Sequence, residues 1–126
     1  MIVLDTYAAV LWTADPGKLG KKAAAAIDQA DVVGIPTIVF WEVALLVRKG
    51  KLKWGISVQE WAKSVMSLSR VHPLPLTVEI ALAAEALAIH PDPADRFIVA
   101  TAQHFGAALV TKDDLIRSQG AVTTIW

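Results

Sequence analysis

Four acidic residues stand where an isolated carboxylate is hard to explain as ordinary surface. Asp5 closes the apolar run Ile2-Val3-Leu4, and Glu42 interrupts a segment that is otherwise apolar on nearly every side from Ile38 to Val47. Asp95 falls in the first turn of a segment opened by Asp92-Pro93, and Asp113 lies just beyond the β-type run Ala107 to Thr111. Acids that end buried strands of a parallel sheet, or that open the helices following them, converge on the carboxyl edge of the sheet, where ligands bind in open α/β folds. Carboxylates that close repel one another and raise each other's pKa unless a cation neutralises them. With hard oxygen donors, Mg²⁺ or Mn²⁺ is the matching cation. The chemistry that follows is phosphodiester hydrolysis, in which metal activates and aligns a water and stabilises the leaving oxygen without a side-chain nucleophile.

The elements that must position these acids alternate short β-like runs with longer helix-like ones, the pattern of a parallel sheet with helices on its faces. A first strand is read at Ile2 to Leu4, and Asp15-Pro16 as N-cap and first position of a helix to about Gln29. Asp31 to Ile35 reads as a second strand. Thr37 is suited to cap a helix from Ile38 to about Lys49, with Gly50 as its stop. Ser57 to Leu68 is amphipathic; Val71 to Leu74 is a short strand; Thr77 caps an Ala-rich helix ending near His90. Asp92-Pro93 opens a helix to His104 or Phe105, ended by Gly106, and strands follow at Ala107 to Thr111 and Val122 to Trp126.

A chain of 126 residues has the size of one domain, so residues 1–126 are expected to form a single α/β unit. Twelve basic and twelve acidic residues leave no global positive field, so any nucleic-acid contact must be local. The absence of cysteine removes disulfides, thiolate nucleophiles and thiolate zinc sites and fits a reducing cytoplasm, the expected location. The amino-terminal residues lack the pattern of a secretory signal. The longest apolar stretch, Ile35 to Val47, is interrupted by Pro36 and Glu42 and is too short to span a bilayer, so no membrane insertion is expected. A 55% hydrophobic composition with five Trp exceeds what so small a domain readily hides, which points to a protein partner or self-association.

Other polar residues have plainer readings. Asp92 is best explained as the N-cap before Pro93. Arg96 is suited either to a phosphate or to a neighbouring carboxylate. The run Arg48-Lys49-Gly50-Lys51-Leu52-Lys53 suits a helix carboxyl end, yet is also the densest phosphate contact in a neutral chain. His72, His90 and His104 lie at unrelated spacings, which argues against a histidine metal site or base. The Trp residues at 12, 41, 54, 61 and 126 read as core or interface rather than stacking platforms.

Taken in order, Ile2-Val3-Leu4-Asp5-Thr6, Phe40-Trp41-Glu42-Val43 leading to Lys49-Gly50-Lys51-Leu52, His90-Pro91-Asp92-Pro93-Ala94-Asp95-Arg96 and Leu109-Val110-Thr111-Lys112-Asp113 resemble, over the whole chain, the PIN-domain ribonucleases, and among them the VapC-like toxins of toxin-antitoxin pairs. The resemblance implies a PIN-like three-layer α/β/α fold with a central parallel sheet. It implies Mg²⁺ or Mn²⁺ held by Asp5, Glu42, Asp95 and Asp113 and a neighbouring hydroxyl role for Thr6 and Thr111. It further implies cleavage of a structured RNA such as tRNA, and a homodimer inhibited by a small VapB-like antitoxin. Asp114 competes with Asp113; the Thr-x-Asp pattern shared with the family favours Asp113 as ligand and Asp114 as the cap or first-turn acid of the segment Leu115 to Ser118.

Among alternatives, an aspartyl phosphatase would carry Asp-x-Asp, but Tyr7 stands in the second position. A phosphoacceptor signalling domain would need paired acids in a different order. No glycine-rich phosphate loop exists for a P-loop or dinucleotide fold. The second reading is a PIN-like module that binds RNA or protein without cutting, against which the presence of all four acids weighs.

Overall fold

In the computed structural model, which describes residues 1–87 and 90–126, the described residues form one parallel sheet. Its strands are β1 (Ile2–Leu4), β2 (Val33–Pro36), β3 (Val71–Leu74), β4 (Ala108–Val110) and β5 (Thr124–Ile125), ordered β3-β2-β1-β4-β5. Every neighbouring pair is parallel, with Leu4 of β1 in register with Val110 of β4. Successive strand residues point to opposite faces, and Ile2, Val3 and Leu4 are all buried, as are Val33 to Pro36. Both faces of the central strands are therefore covered by helices, the arrangement of a PIN-like α/β/α fold. Leu4, Ile35, Val39, Ile98 and Leu109 lie among the fully buried side chains of the core.

The helices are α1 (Thr6–Ala14), α2 (Lys21–Gln29), α3 (Thr37–Arg48), α4 (Val58–Met66), α5 (Val78–Ala86), α6 (Pro93–His104) and α7 (Asp114–Gln119). Several of their ends follow local chemistry. Ser57 and Glu60 form a capping box on α4, Thr77 caps α5, and Asp92 caps α6 with Pro93 at its first position. Gly50 and Gly106 take positive φ (70° and 59°) just beyond α3 and α6, where a left-handed residue ends a helix.

Three expectations are corrected. The helix expected from Asp15-Pro16 to Gln29 is divided: Asp15, the C-cap of α1, and Pro16 hold the N-cap and first positions expected of them but open only one 3₁₀ turn, Pro16–Lys18, and α2 starts after Gly20. At the break Leu19 and Gly20 are extended (ψ 146° and 149°), and Gly20 packs so closely that a Cβ there would lie 2.6 Å from the backbone carbon of Trp126. The preceding α1, with Thr6 and Ala8 to Leu11 buried, has no polar face to mark it by periodicity. Thr37 is the first residue of α3 and makes no cap; the N-cap position is Pro36. The expected continuation of the Ala-rich helix to His90 passes through positions 88–89, outside the described residues; α5 ends at Ala86 with Leu87 as its C-cap.

Candidate active site

From β1 the chain moves to β2 on one side while β4 lies on the other, so the carboxyl ends of β1 and β4 flank a topological switch point. Asp5 is the first residue beyond β1. Its N–H donates to the Val110 carbonyl (3.1 Å), and its Oδ1 accepts from the Ala8 N–H (2.7 Å), capping α1. Only 5% of Asp5 is exposed, and burial, reinforced by the charges of Asp113 and Glu42, raises its pKa to about 6. Hydrogen bonds from Thr111 and Ala8 oppose that rise.

Asp113 follows β4 and is the N-cap of α7: its Oδ1 accepts from the Ile116 N–H (2.9 Å), and its own N–H donates to Thr111 Oγ1 (3.1 Å). Of the two roles open to Asp114, cap or first-turn acid, it takes the second, and the cap is Asp113. Glu42, in the second turn of α3, receives a hydrogen bond from the Thr6 hydroxyl, and burial raises its pKa. Asp95, in the first turn of α6, is pushed up to about 8, first by burial and then by the charges of Asp92, Glu42, Asp113 and Asp5.

These four side chains line one cavity of about 460 Å³, together with Thr6, Tyr7, Lys51, Lys112 and an apolar wall of Val10, Leu46 and Leu52. Of the basic run expected as a phosphate contact, Lys51 reaches the cavity; Lys112, whose Nζ sits 3.8 Å from the Tyr7 ring centroid, is a second cation that sequence reasoning did not single out. Arg96 resolves toward a carboxylate, pairing with Glu85 at 3.6 Å.

The spacing of the histidines argued against a histidine metal site or base, yet one histidine stands beside the acids. His90 is buried, with Nε2 at 3.3 Å from Asp95 Oδ2 and 3.5 Å from Asp113 Oδ2. Donor atoms of His90, Asp95 and Asp113 lie within 4.8 Å of one another. Spacing relative to the other histidines concealed this; the usable signal was the five-residue distance from His90 to Asp95, across two prolines that restrict the path. A cluster of oxygen donors whose buried members resist ionisation is chemically suited to a hard divalent cation, which would offset their mutual repulsion.

A model of the PIN domain matches residues 2–120. The chain is 34% identical to Ribonuclease VapC22 of Mycobacterium tuberculosis, covering 99% of this chain and 98% of that one. Among solved structures, a toxin-antitoxin complex from Klebsiella pneumoniae is similar with a TM-score of 0.68 at 21% identity, covering 98% of this chain and 97% of that one. VapBC2 from Rickettsia felis, bound to a DNA fragment from their promoter, is similar with a TM-score of 0.69 at 19% identity and the same coverage of 98% and 97%. At these identities the structural likeness concerns the fold.

Proposed function

The chain belongs to the PIN-domain family, and on that premise we propose that it is a metal-dependent endoribonuclease and the toxin of a toxin-antitoxin pair. The observation that carries the reading is the convergence of Asp5, Glu42, Asp95 and Asp113 on one cavity, in a chain related to a ribonuclease over nearly its whole length. Asp5, Glu42, Asp95 and Asp113 would hold Mg²⁺ or Mn²⁺. When bound, the cation supplies activation of water for in-line attack on phosphorus and neutralises charge on the leaving oxygen.

The chain's own groups organise that chemistry. Capping bonds fix Oδ1 of both Asp5 and Asp113 and so hold the two carboxylates at the cavity. The Thr6 hydroxyl orients Glu42, and Thr111 bridges Asp5 and the Asp113 backbone. Lys51 and Lys112 stand on the cavity wall, where they can hold the phosphates flanking the cleaved bond. The substrate is read as a structured RNA such as tRNA.

The partner is a small VapB-like antitoxin, and the toxin itself a homodimer. Supporting this, large apolar side chains remain uncovered, including Trp41 (56% exposed), Val78 (73%) and Leu82 (71%). Among the described residues no helix is long and apolar enough to cross a membrane. The deciding experiment incubates the purified protein with total RNA, with and without Mg²⁺ or Mn²⁺, and maps the cleaved ends. Chelator-sensitive cuts that vanish in Asp5→Asn are expected; RNA binding without cleavage would establish the non-catalytic alternative.

A further inference from the structure

His90 places its two ring nitrogens in opposite roles. Nδ1 lies 3.0 Å from the Asp92 backbone nitrogen, which donates to it. A nitrogen that accepts a hydrogen bond carries no hydrogen of its own, which leaves the ring hydrogen on Nε2. That Nε2–H is buried and faces Asp95 Oδ2 and Asp113 Oδ2 at 3.3 and 3.5 Å, in neither case with hydrogen-bond alignment. A protonated Nε2 has no lone pair for a metal, although its distance to the two carboxylates would otherwise suit a ligand.

We propose that His90 is a positioning residue: the Asp92 N–H fixes its tautomer, and its Nε2–H dipole, set close to Asp95 and Asp113, draws these two carboxylates together at a spacing fit for a cation without itself being a ligand. Asp92 then has a double task. Its side chain caps α6 through the Ala94 N–H (2.9 Å) while its backbone sets the imidazole, so the turn that starts the helix bearing Asp95 also orders the carboxylate facing it. A donor beside two acids eases their repulsion before any cation arrives and keeps each acid's remaining oxygens directed inward.

The inference rests on the reading of Asp95 and Asp113 as cation-holding groups, and its test separates the two. In the metal-free, ¹⁵N-labelled full chain, long-range proton–nitrogen correlation is expected to show His90 protonated at Nε2 and bare at Nδ1, and to keep that tautomer when Mg²⁺ is added. The Nδ1–H tautomer would overturn the inference alone, as would a ¹⁴N coupling of the His90 ring to bound Mn²⁺ in electron spin echo spectra of the unlabelled chain. Calorimetric Mn²⁺ binding adds a second readout. His90→Asn keeps an acceptor for the Asp92 N–H but nothing that reaches the carboxylates, and should weaken Mn²⁺ binding about 10-fold or more. His90→Gln carries an amide N–H to the Nε2 position and should stay within about 3-fold, since the donor is what acts. Equal losses in both, or none in His90→Asn, would overturn the inference. Failure of the unaltered protein to bind Mn²⁺ at all would overturn the underlying reading of the acids.

Discussion

At the residue scale, acids of this cluster combine jobs that can be pulled apart by substitution. Asp5 caps α1 and lines the cavity. Asn caps as well as Asp, so Asp5→Asn is expected to abolish metal-dependent cleavage while leaving the fold intact. Asp92 and Asp95 provide the sharper comparison, because the first caps α6 and the second faces the cavity one turn on. Asp92→Asn should be nearly silent in both stability and cleavage, and Asp92→Ala should lose about 0.5 to 2 kcal/mol of stability. Asp95→Asn should be almost inactive and, in the metal-free protein near neutral pH, no less stable, since it removes an acid that burial and four neighbouring acids compel to hold a proton its unfolded form would release. Thermal midpoints and cleavage rates of the three variants check this; an inactive Asp92→Asn beside an active Asp95→Asn would move the proposed ligand by one turn.

At the element scale, the passage from α1 to α2 runs in close contact with a distant part of the chain. Gly20 lies against Trp126, where an added Cβ would meet backbone at 2.6 Å and the indole at 3.0 Å. Gly20→Ala is therefore expected to cost about 1 to 3 kcal/mol, the range for overpacking a filled contact. Gly17→Ala, with nothing within 4 Å of the added carbon, serves as its control. Urea denaturation of the pair tests the prediction, and equal midpoints would show that the carboxyl-terminal residue yields instead. The legibility of elements divides along the same line. Capped ends, such as Ser57-x-x-Glu60 on α4 and Asp92-Pro93 on α6, were readable because a cap acts within one turn of chain. The start of α2 was not, because Asp15-Pro16 carries the same local signal, whereas Gly20, the residue before α2, offers no side-chain cap and lies against Trp126, over a hundred residues away.

For the whole molecule, the paired effects of burial and like charge predict an inverted pH response. Asp5 and Asp95 have folded-state pKa values of about 6 and about 8 against 3.8 in the unconstrained residue. Between those values the folded chain holds protons that the unfolded chain has released, so without metal its stability should fall as pH rises from about 4 through 8. In chelator the thermal midpoint should drop between pH 5 and pH 8, by about 3 to 5 °C for each kcal/mol lost. Mn²⁺ should restore it at pH 8 and do little at pH 5, where the acids still hold protons. A midpoint in chelator that stays level over this range would contradict the raised values. RNA binding should also be only weakly salt-dependent. With two lysines on the cavity wall and no net charge, a log–log slope of about −1 to −2 is expected. A slope several times steeper would reveal a basic surface elsewhere.

Taken by itself, the sequence determined the α/β alternation, most strand positions, several caps and the four acids, because each of these rests on short-range chemistry: periodicity, capping, or a charge stranded in an apolar run. Only the tertiary structure decided who meets whom. The order β3-β2-β1-β4-β5 sets the ends of β1 and β4 side by side, which joins Asp5 to Asp113 across more than a hundred residues of chain. It also brings Thr6 to Glu42, Lys112 to Tyr7, and His90 to Asp95 and Asp113. Periodicity tells a side chain which face to bury but not its partner there; that follows from the path of each crossover, and the path is chosen by packing summed over the whole core.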